Sequence, residues 1–243
     1  MQIIKLDATE STNAFLKNLI FSELQKDYTL VVAKEQLNGR GQMGTNWQSE
    51  PGKNLTFSVL RNFNNFKIKD HFVLNIITSL AVYSSLEALK IPNLRVKWPN
   101  DILSGSQKIC GILPENIIKN DLIKSSIIGI GLNVNQTDFV NLPLATSLKN
   151  IMGSDYSTET IMNSIVWQLR KGFELYESGA IDILNKSYES SLFRKDKAST
   201  FKKLNEETFT GIIRGITETG KISIEIEDEI LKEFAFKEIE LLY

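Results

Sequence analysis

The residues best able to do chemistry in this sequence fall in three short runs. Gly39-Arg40-Gly41-Gln42-Met43-Gly44 has the GxGxxG spacing that, between a strand and a helix, cradles the pyrophosphate of a dinucleotide. Arg95-Val96-Lys97-Trp98-Pro99-Asn100-Asp101 gathers two cations, an indole, an amide and a carboxylate, at a strand end where Pro99 stops further ladder bonding. Lys108-Ile109-Cys110-Gly111-Ile112-Leu113 sets a lysine on one face of an apolar strand, with a glycine where a backbone or ligand can approach closely. Taken singly, Trp98-Pro99 reads as a core plug and Asn100-Asp101 as a turn. Their proximity to one another and to Lys108 weighs toward a site.

The dinucleotide reading fails on its surroundings. A strand, Tyr28 to Glu35, precedes the glycines, but TNWQSEPGKN follows and then a second strand, Leu55 to Leu60, so no helix N-terminus faces the phosphates. The acidic residue required about 20 positions on is missing, since Val59, Leu60, Arg61 and Asn62 stand there. What remains is a polar glycine loop with one arginine between two strands.

The elements that must hold these runs are mixed. Ile3 to Leu6 reads as a strand, and Ser11 to Leu24 as a helix with Ser11 at its N-cap and a stripe of Phe15, Leu16, Leu19, Ile20 and Leu24. Asp70 to Lys90 reads as a long buried helix stopped by Pro92. Strands follow at Leu94 to Lys97, on either side of Ser104-Gly105-Ser106, and at Ser126 to Val134, the last as a central strand. Helical spacing returns over Thr158 to Glu177 and about Ile181 to Ser190. From about Lys197 short alternating strands take over: Phe209 to Ile216, Lys221 to Ile226, Leu231 to Phe236 and Glu238 to Leu242. The fold class is therefore α+β, a mixed sheet backed by helices over residues 1–195, with a small β-barrel over 196–243 packed against it.

Composition narrows the function. A 243-residue chain with 42% hydrophobic residues buries a sizeable core, and a net charge of −1 gives no general attraction to nucleic acid or anionic membrane. MQIIKLDATEST carries no secretion signal, and no run approaches 18 apolar residues, so the cytoplasm is the expected compartment. One cysteine and one histidine exclude an internal disulfide and multi-thiolate or His-rich metal sites. Cys110 reads as a small buried hydrophobe and His71, beside Asp70, as a surface or capping residue.

GRGQMGTNW, KWPND, KICGIL and GIGLNVN, in this order and at these distances, together with Ser11-Thr12-Asn13 and the C-terminal barrel, resemble the biotin protein ligases (biotin–acetyl-CoA-carboxylase ligases) over nearly the whole chain. The resemblance implies a biotin/lipoate ligase-like catalytic domain with an SH3-like barrel. It implies ATP-dependent ligation of biotin, through biotinyl-5′-adenylate, to a lysine of a biotin carboxyl carrier protein, with Mg2+ beside ATP. It also admits a homodimer. Carried over residue by residue, it assigns biotin contacts to Ser11, Thr12, Asn13, Gln36, Arg40, Gly41, Gln42, Lys108 and Gly111. It assigns ATP contacts to Arg40, Trp47, Asn100, Asp101, Lys108 and Asn133, with Asp101 also toward the metal. Some family members carry an N-terminal DNA-binding domain; only ten residues precede Ser11, so no nucleic-acid partner is expected.

The implied chemistry suits these residue types. Bringing a carboxylate to the α-phosphate of ATP joins two anions, so fixed cations are needed, and Lys108 and Arg40 become the catalytic candidates. Biotin's ureido ring needs donors and acceptors in an otherwise apolar pocket, which hydroxyl and amide side chains supply. The glycine loop becomes a lid that shields a hydrolysable anhydride and reopens for the acceptor. Many family members carry further arginines where this chain has Gln42 and Met43, leaving fewer cations to hold the phosphate. The nearest rival is a lipoate ligase or octanoyl transferase of the same fold, in which Cys110 would gain a role. An adaptor using the barrel as a peptide-binding module is a rival of another class.

Overall fold

The computed structural model describes residues 1–243, the side chains of Met43 and Asp228 excepted. Seven strands form one mixed sheet: β1 (Gln2–Thr9), β2 (Thr29–Gln36), β3 (Leu55–Lys67), β4 (Leu94–Lys97), β5 (Asp101–Ser104), β6 (Gln107–Lys119) and β7 (Leu122–Leu132). Their order is β1-β2-β3-β7-β6-β5-β4, so the Gly-Ile-Gly strand β7 is central, as its apolar sequence indicates. Only β1 and β2 run parallel, joined by the crossover helix α1 (Thr12–Ser22).

Strand alternation decides what each face of the sheet meets. Leu30, Phe57, Val59, Ile128 and Ile130 point into the main core beneath helices α2 (Val73–Ala88), α4 (Thr158–Glu177) and α5 (Ile181–Ser191). Their neighbours Val31, Leu60 and Ile127 point the other way, against Leu16 of α1. Each large side chain so buried contributes about 1.5–3 kcal/mol. On the α1 face, however, β7 continues from Ile127 to Gly129 and Gly131, where apolar filling stops.

Several boundaries differ from those read in the sequence. Helix α1 ends at Ser22 and Leu24 lies fully exposed; no glycine or proline marks that stop, and the apolar spacing at Leu24 misleads. Ser11 occupies the N-cap position in extended conformation, yet its side chain caps no backbone N–H. Helix α2 starts at Val73 because Ile68–Asp70 forms a separate 3-10 turn, with Asp70 accepting from Tyr176 Oη at 3.3 Å. A five-residue helix, α3 (Leu148–Met152), is too short to show periodicity.

The C-terminal unit is a five-stranded antiparallel sheet built from β8 (Ala198–Lys203), β9 (Thr208–Ile216), β10 (Ile222–Glu225), β11 (Leu231–Phe234) and β12 (Ile239–Leu242), in the order β11-β10-β9-β8-β12. Strand β8, not foreseen in the sequence, pairs with β9 on one side and with β12 on the other. The sheet is fastened to the rest of the molecule: Phe201, Ile213, Ile222 and Ile224 belong to the main hydrophobic cluster. Phe193 N–H donates to Val96 O at 2.8 Å, and Trp98 Nε1–H donates to Gly220 O at 2.9 Å. Gly220 has φ +81°, and a Cβ there would lie 2.1 Å from Cγ of Phe72 at the start of α2. Both conditions demand glycine. Gly220→Ala is expected to destabilise the chain by about 2 kcal/mol or more, seen as a lower urea midpoint at unchanged m-value.

Candidate active site

A cleft of about 260 Å³ opens on the α1 face of the sheet where the apolar filling stops. Its floor is three glycines. Gly111 of β6 pairs with Gly131 of β7, and Leu113 with Gly129. A Cβ on Gly129 would stand 2.5 Å from Asn13 Oδ1, and one on Gly131 would stand 2.5 Å from the Trp47 indole. Side chains at these positions would fill the space that Asn13 and Trp47 occupy.

The β5–β6 register explains how Lys108 joins this floor. Leu103 pairs with Lys108 but Ile102 pairs with Cys110, so Ile109 is an extra residue in a β-bulge. Strict alternation would put Lys108 and Gly111 on opposite faces. The bulge turns Ile109 and Cys110 both into the core and leaves Lys108 and Gly111 on the cleft side, with Nζ 3.4 Å from where a Gly111 Cβ would be. Lys108 Nζ donates to Asp101 Oδ1 at 2.7 Å and lies 5.8 Å from the Trp47 ring centroid. The turn between β4 and β5 that carries Asp101 is held by Tyr188 Oη–H, which donates to Pro99 O at 2.9 Å. Asn100 Nδ2 donates to Ile112 O, so part of this side chain serves to dock β6.

At the other end lies an uncharged polar cluster. Gln36 Oε1 accepts from Thr12 N–H at 2.8 Å and from the Thr12 hydroxyl at 3.1 Å. Ser58 Oγ lies 2.7 Å from Thr12 Oγ1 and 2.6 Å from Asn13 Oδ1. Asn13 Nδ2 donates to Glu115 Oε2 at 2.6 Å and to Leu113 O at 3.2 Å. Ser11, Thr12 and Asn13 are all buried at the start of α1.

The glycine loop arches over this cleft. Trp47 N–H donates to Gly39 O at 2.8 Å, Gly41 N–H donates to Thr45 O at 2.6 Å, and Arg40 bridges Asn46. Of the loop glycines only Gly44, at φ +84°, uses the left-handed region. Gly39 and Gly41 are needed because a Cβ would meet Trp47 O at 2.4 Å and Thr45 Oγ1 at 2.3 Å. Two cleft-lining atoms, Gln42 Oε1 and Trp47 Nε1, an acceptor and a donor, are buried without a partner among the described residues. Met43 lies outside the described side chains.

Of the residues singled out in the sequence, Ser11, Thr12, Asn13, Gln36, Arg40, Gly41, Gln42, Trp47, Asn100, Asp101, Lys108 and Gly111 all line this one cleft. Asn133, just past the end of β7, is buried and is not among the lining residues: its Nδ2 donates to Thr146 O at 3.0 Å, and its Oδ1 has no partner among the described residues. Gly129, Gly131, Lys97, Phe236 and Lys237 also line the cleft, and Ser58 and Glu115 support it. The alternation Gly129-Ile130-Gly131 was the available signal for the floor. Trp98 packs edge-on against Phe236, 6.0 Å between centroids. Among the described residues the cleft is lined by four cations, Arg40, Lys97, Lys108 and Lys237, and one carboxylate, Asp101, in a chain whose net charge is −1. Cys110 is fully buried beneath the floor, and burial pushes its thiol pKa far up.

Comparison with known proteins agrees with this geometry. The chain is 32% identical over 211 residues to the bifunctional ligase/repressor BirA of Bacillus spizizenii, over 84% of this chain and 63% of that protein. It is 28% identical to the Escherichia coli protein of the same name over 97% of this chain and 73% of the other. The chain therefore spans about 63% of the length of the Bacillus relative. Among solved structures, biotin protein ligase from Aquifex aeolicus in complex with biotin and ATP superposes with a TM-score of 0.80 at 28% identity, covering 99% of this chain and 98% of that one. Residues 6–133, which include the whole glycine floor, match the model of the biotin/lipoate A/B protein ligase family, and the chain belongs to that family.

Proposed function

We propose that the chain joins biotin to a lysine of a biotin carboxyl carrier protein in two steps. In the first, the biotin carboxylate attacks the α-phosphorus of ATP, and the bond to the β-phosphate breaks to release pyrophosphate. In the second, the acceptor amine attacks the acyl carbon of biotinyl-5′-adenylate, the C–O bond to AMP breaks, and the amine loses its proton as the amide forms. The observation that carries this reading is the division of one cleft into an uncharged donor–acceptor cluster at Thr12, Asn13 and Gln36 and a cationic end at Lys108 and Arg40. The first end suits a urea and the second two anions that must meet.

Asp101 is the only carboxylate lining the cleft among the described residues, and no cluster of three metal-ligating side chains exists among them. That donor set suits magnesium arriving on ATP, which takes one carboxylate and completes its shell with phosphate and water. In this reading Trp47, which stands on the floor with its N–H unpartnered among the described residues, packs against the adenine. None of the described helices is long and apolar enough to cross a membrane.

Lys108→Ala is expected to lower biotin-dependent exchange of pyrophosphate into ATP by about 10²–10³-fold, the scale for losing one fixed group at a developing charge. Its Tm should stay close to the parent's, because a half-exposed ion pair contributes little to folding. Exchange at the parent rate would remove Lys108 from the chemistry. Cys110 separates this reading from an acyl-thioester mechanism. With its thiol buried and its pKa raised, the native protein should resist Ellman's reagent until unfolded, and Cys110→Ala should turn over at the parent rate. A dead Cys110→Ala variant of native stability would favour the transferase alternative.

The loop supplies a further prediction. Gln42→Arg adds a charge beside the phosphate, where a charge-assisted contact contributes about 1.5–3 kcal/mol. Release of labelled biotinyl-adenylate through a spin filter should slow accordingly, with no faster formation, whereas Arg40→Gly should speed release. Unchanged release in both variants would place retention elsewhere.

A further inference from the structure

Glu115 lies on β6 beyond the glycine floor, and the two-step ligation makes no use of its carboxylate. Its Oε2 accepts from Asn13 Nδ2 at 2.6 Å, and Leu113 O accepts from the same nitrogen at 3.2 Å. Both partners are acceptors only, so the Asn13 amide nitrogen must face β6 and its oxygen must face away. That oxygen stands over Gly129 and meets Ser58 Oγ at 2.6 Å. An amide oxygen only accepts and a hydroxyl carries one proton, so the Ser58 proton is drawn to Asn13. The Thr12 hydroxyl, 2.7 Å from Ser58 Oγ and 3.1 Å from Gln36 Oε1, is left to donate. Gln36 Oε1 is fixed as an acceptor by the Thr12 N–H, which turns Nε2 of Gln36 to the loop side, 3.0 Å from where a Gly39 Cβ would be.

We infer that Glu115 is a positioning residue: through Asn13 it sets the direction of the hydrogen bonds that run from Asn13 to Ser58 and the Thr12 hydroxyl, so that the cleft presents an acceptor at Asn13 beside the Gln36 donors that the Thr12 N–H orients. This rests on the proposed reading of the cluster as the urea-recognising end of the site. Reversing the Asn13 amide would aim an N–H at Ser58, send the Ser58 proton to Thr12 and reverse the pattern offered to a ligand. Glu115 does this without lining the cleft itself.

Two variants test it. Glu115→Gln keeps an acceptor oxygen at the same reach, and Glu115→Leu keeps the bulk without one. The Leu variant is expected to bind biotin about tenfold more weakly in a calorimetric titration, the scale of one charge-assisted hydrogen bond, with the KM for ATP unchanged. The Gln variant should bind biotin close to the parent. Biotin affinity in the Leu variant equal to the parent's, or a parallel loss for biotin and ATP with a fall in Tm, would overturn the inference. The Asn13 side-chain amide protons, followed by NMR in 15N-labelled protein, give a readout independent of the ligand. The Leu variant should shift them and the Gln variant should not; unshifted resonances in the Leu variant would overturn the positioning role. A parent that binds no biotin while these resonances move as stated would refute the functional reading and leave the positioning role standing.

Discussion

The face of a β-sheet inside a protein is ordinarily filled by its own side chains, and this site exists because three of them are missing. Gly111, Gly129 and Gly131 sit on adjacent central strands with no Cβ toward α1. Apolar packing against α1 closes one end of that face at Leu16, Val31, Leu60 and Ile127, and the cleft begins where it stops. Strand glycines weaken a sheet, because they bury nothing and lose more chain entropy than other residues. Here the opposite faces of the same strands carry Ile128, Ile130 and Ile112 in the main core, which holds the sheet together under the cleft.

On this floor, the chemistry is arranged by a backbone irregularity. The extra residue Ile109 lets Lys108 and Gly111 share a face while Ile109 and Cys110 are both buried. A regular strand would have sent one of the pair into the core, where a lysine cannot stay charged without heavy desolvation cost. The Asp101 contact at 2.7 Å then fixes the lysine head against its neighbour on β5, so the cation is oriented before any anion arrives. Among the described residues Arg40, Lys97 and Lys108 line the cleft with Asp101 as their carboxylate, so cations are gathered here although the chain as a whole is slightly acidic.

What could be read from the sequence follows from how local each signal is. The glycine loop, the KWPND turn and Lys108 announce themselves through residue type and short spacing, and they do converge on one cleft. The mixed sheet and central β7 followed from hydrophobic runs. The bulge at Ile109 could not be read, because it is defined by pairing with β5 and leaves no mark in a single strand. Ser58 and Glu115 were invisible for the same reason: their roles are hydrogen bonds to Asn13 across sequence separations of 45 and 102 residues. Asn133, which the resemblance assigns to ATP, has its Nδ2 engaged by Thr146 O, a contact from outside its own motif that the sequence does not show. The end of α1 was misjudged because Leu24 continues an apolar spacing after the chain has left the helix.

The C-terminal sheet owes its place to the same economy of glycine and indole. Gly220 lets the turn between β9 and β10 press on Phe72, and its carbonyl receives the Trp98 N–H from the KWPND turn. Trp98 is thereby fixed between the two sheets, and its other contact is the edge of Phe236, which with Lys237 borders the cleft. The barrel's contribution to the cleft wall is thus set by contacts that Trp98 makes, and Trp98 is three residues from Asp101, the partner of Lys108. A shift of the barrel against the main sheet would have to move either the Trp98 side chain or the turn that carries Asp101. The Tyr188 hydrogen bond to Pro99 O resists the second, so the cleft wall and the Lys108–Asp101 ion pair are held to a common frame rather than to two units free to slide.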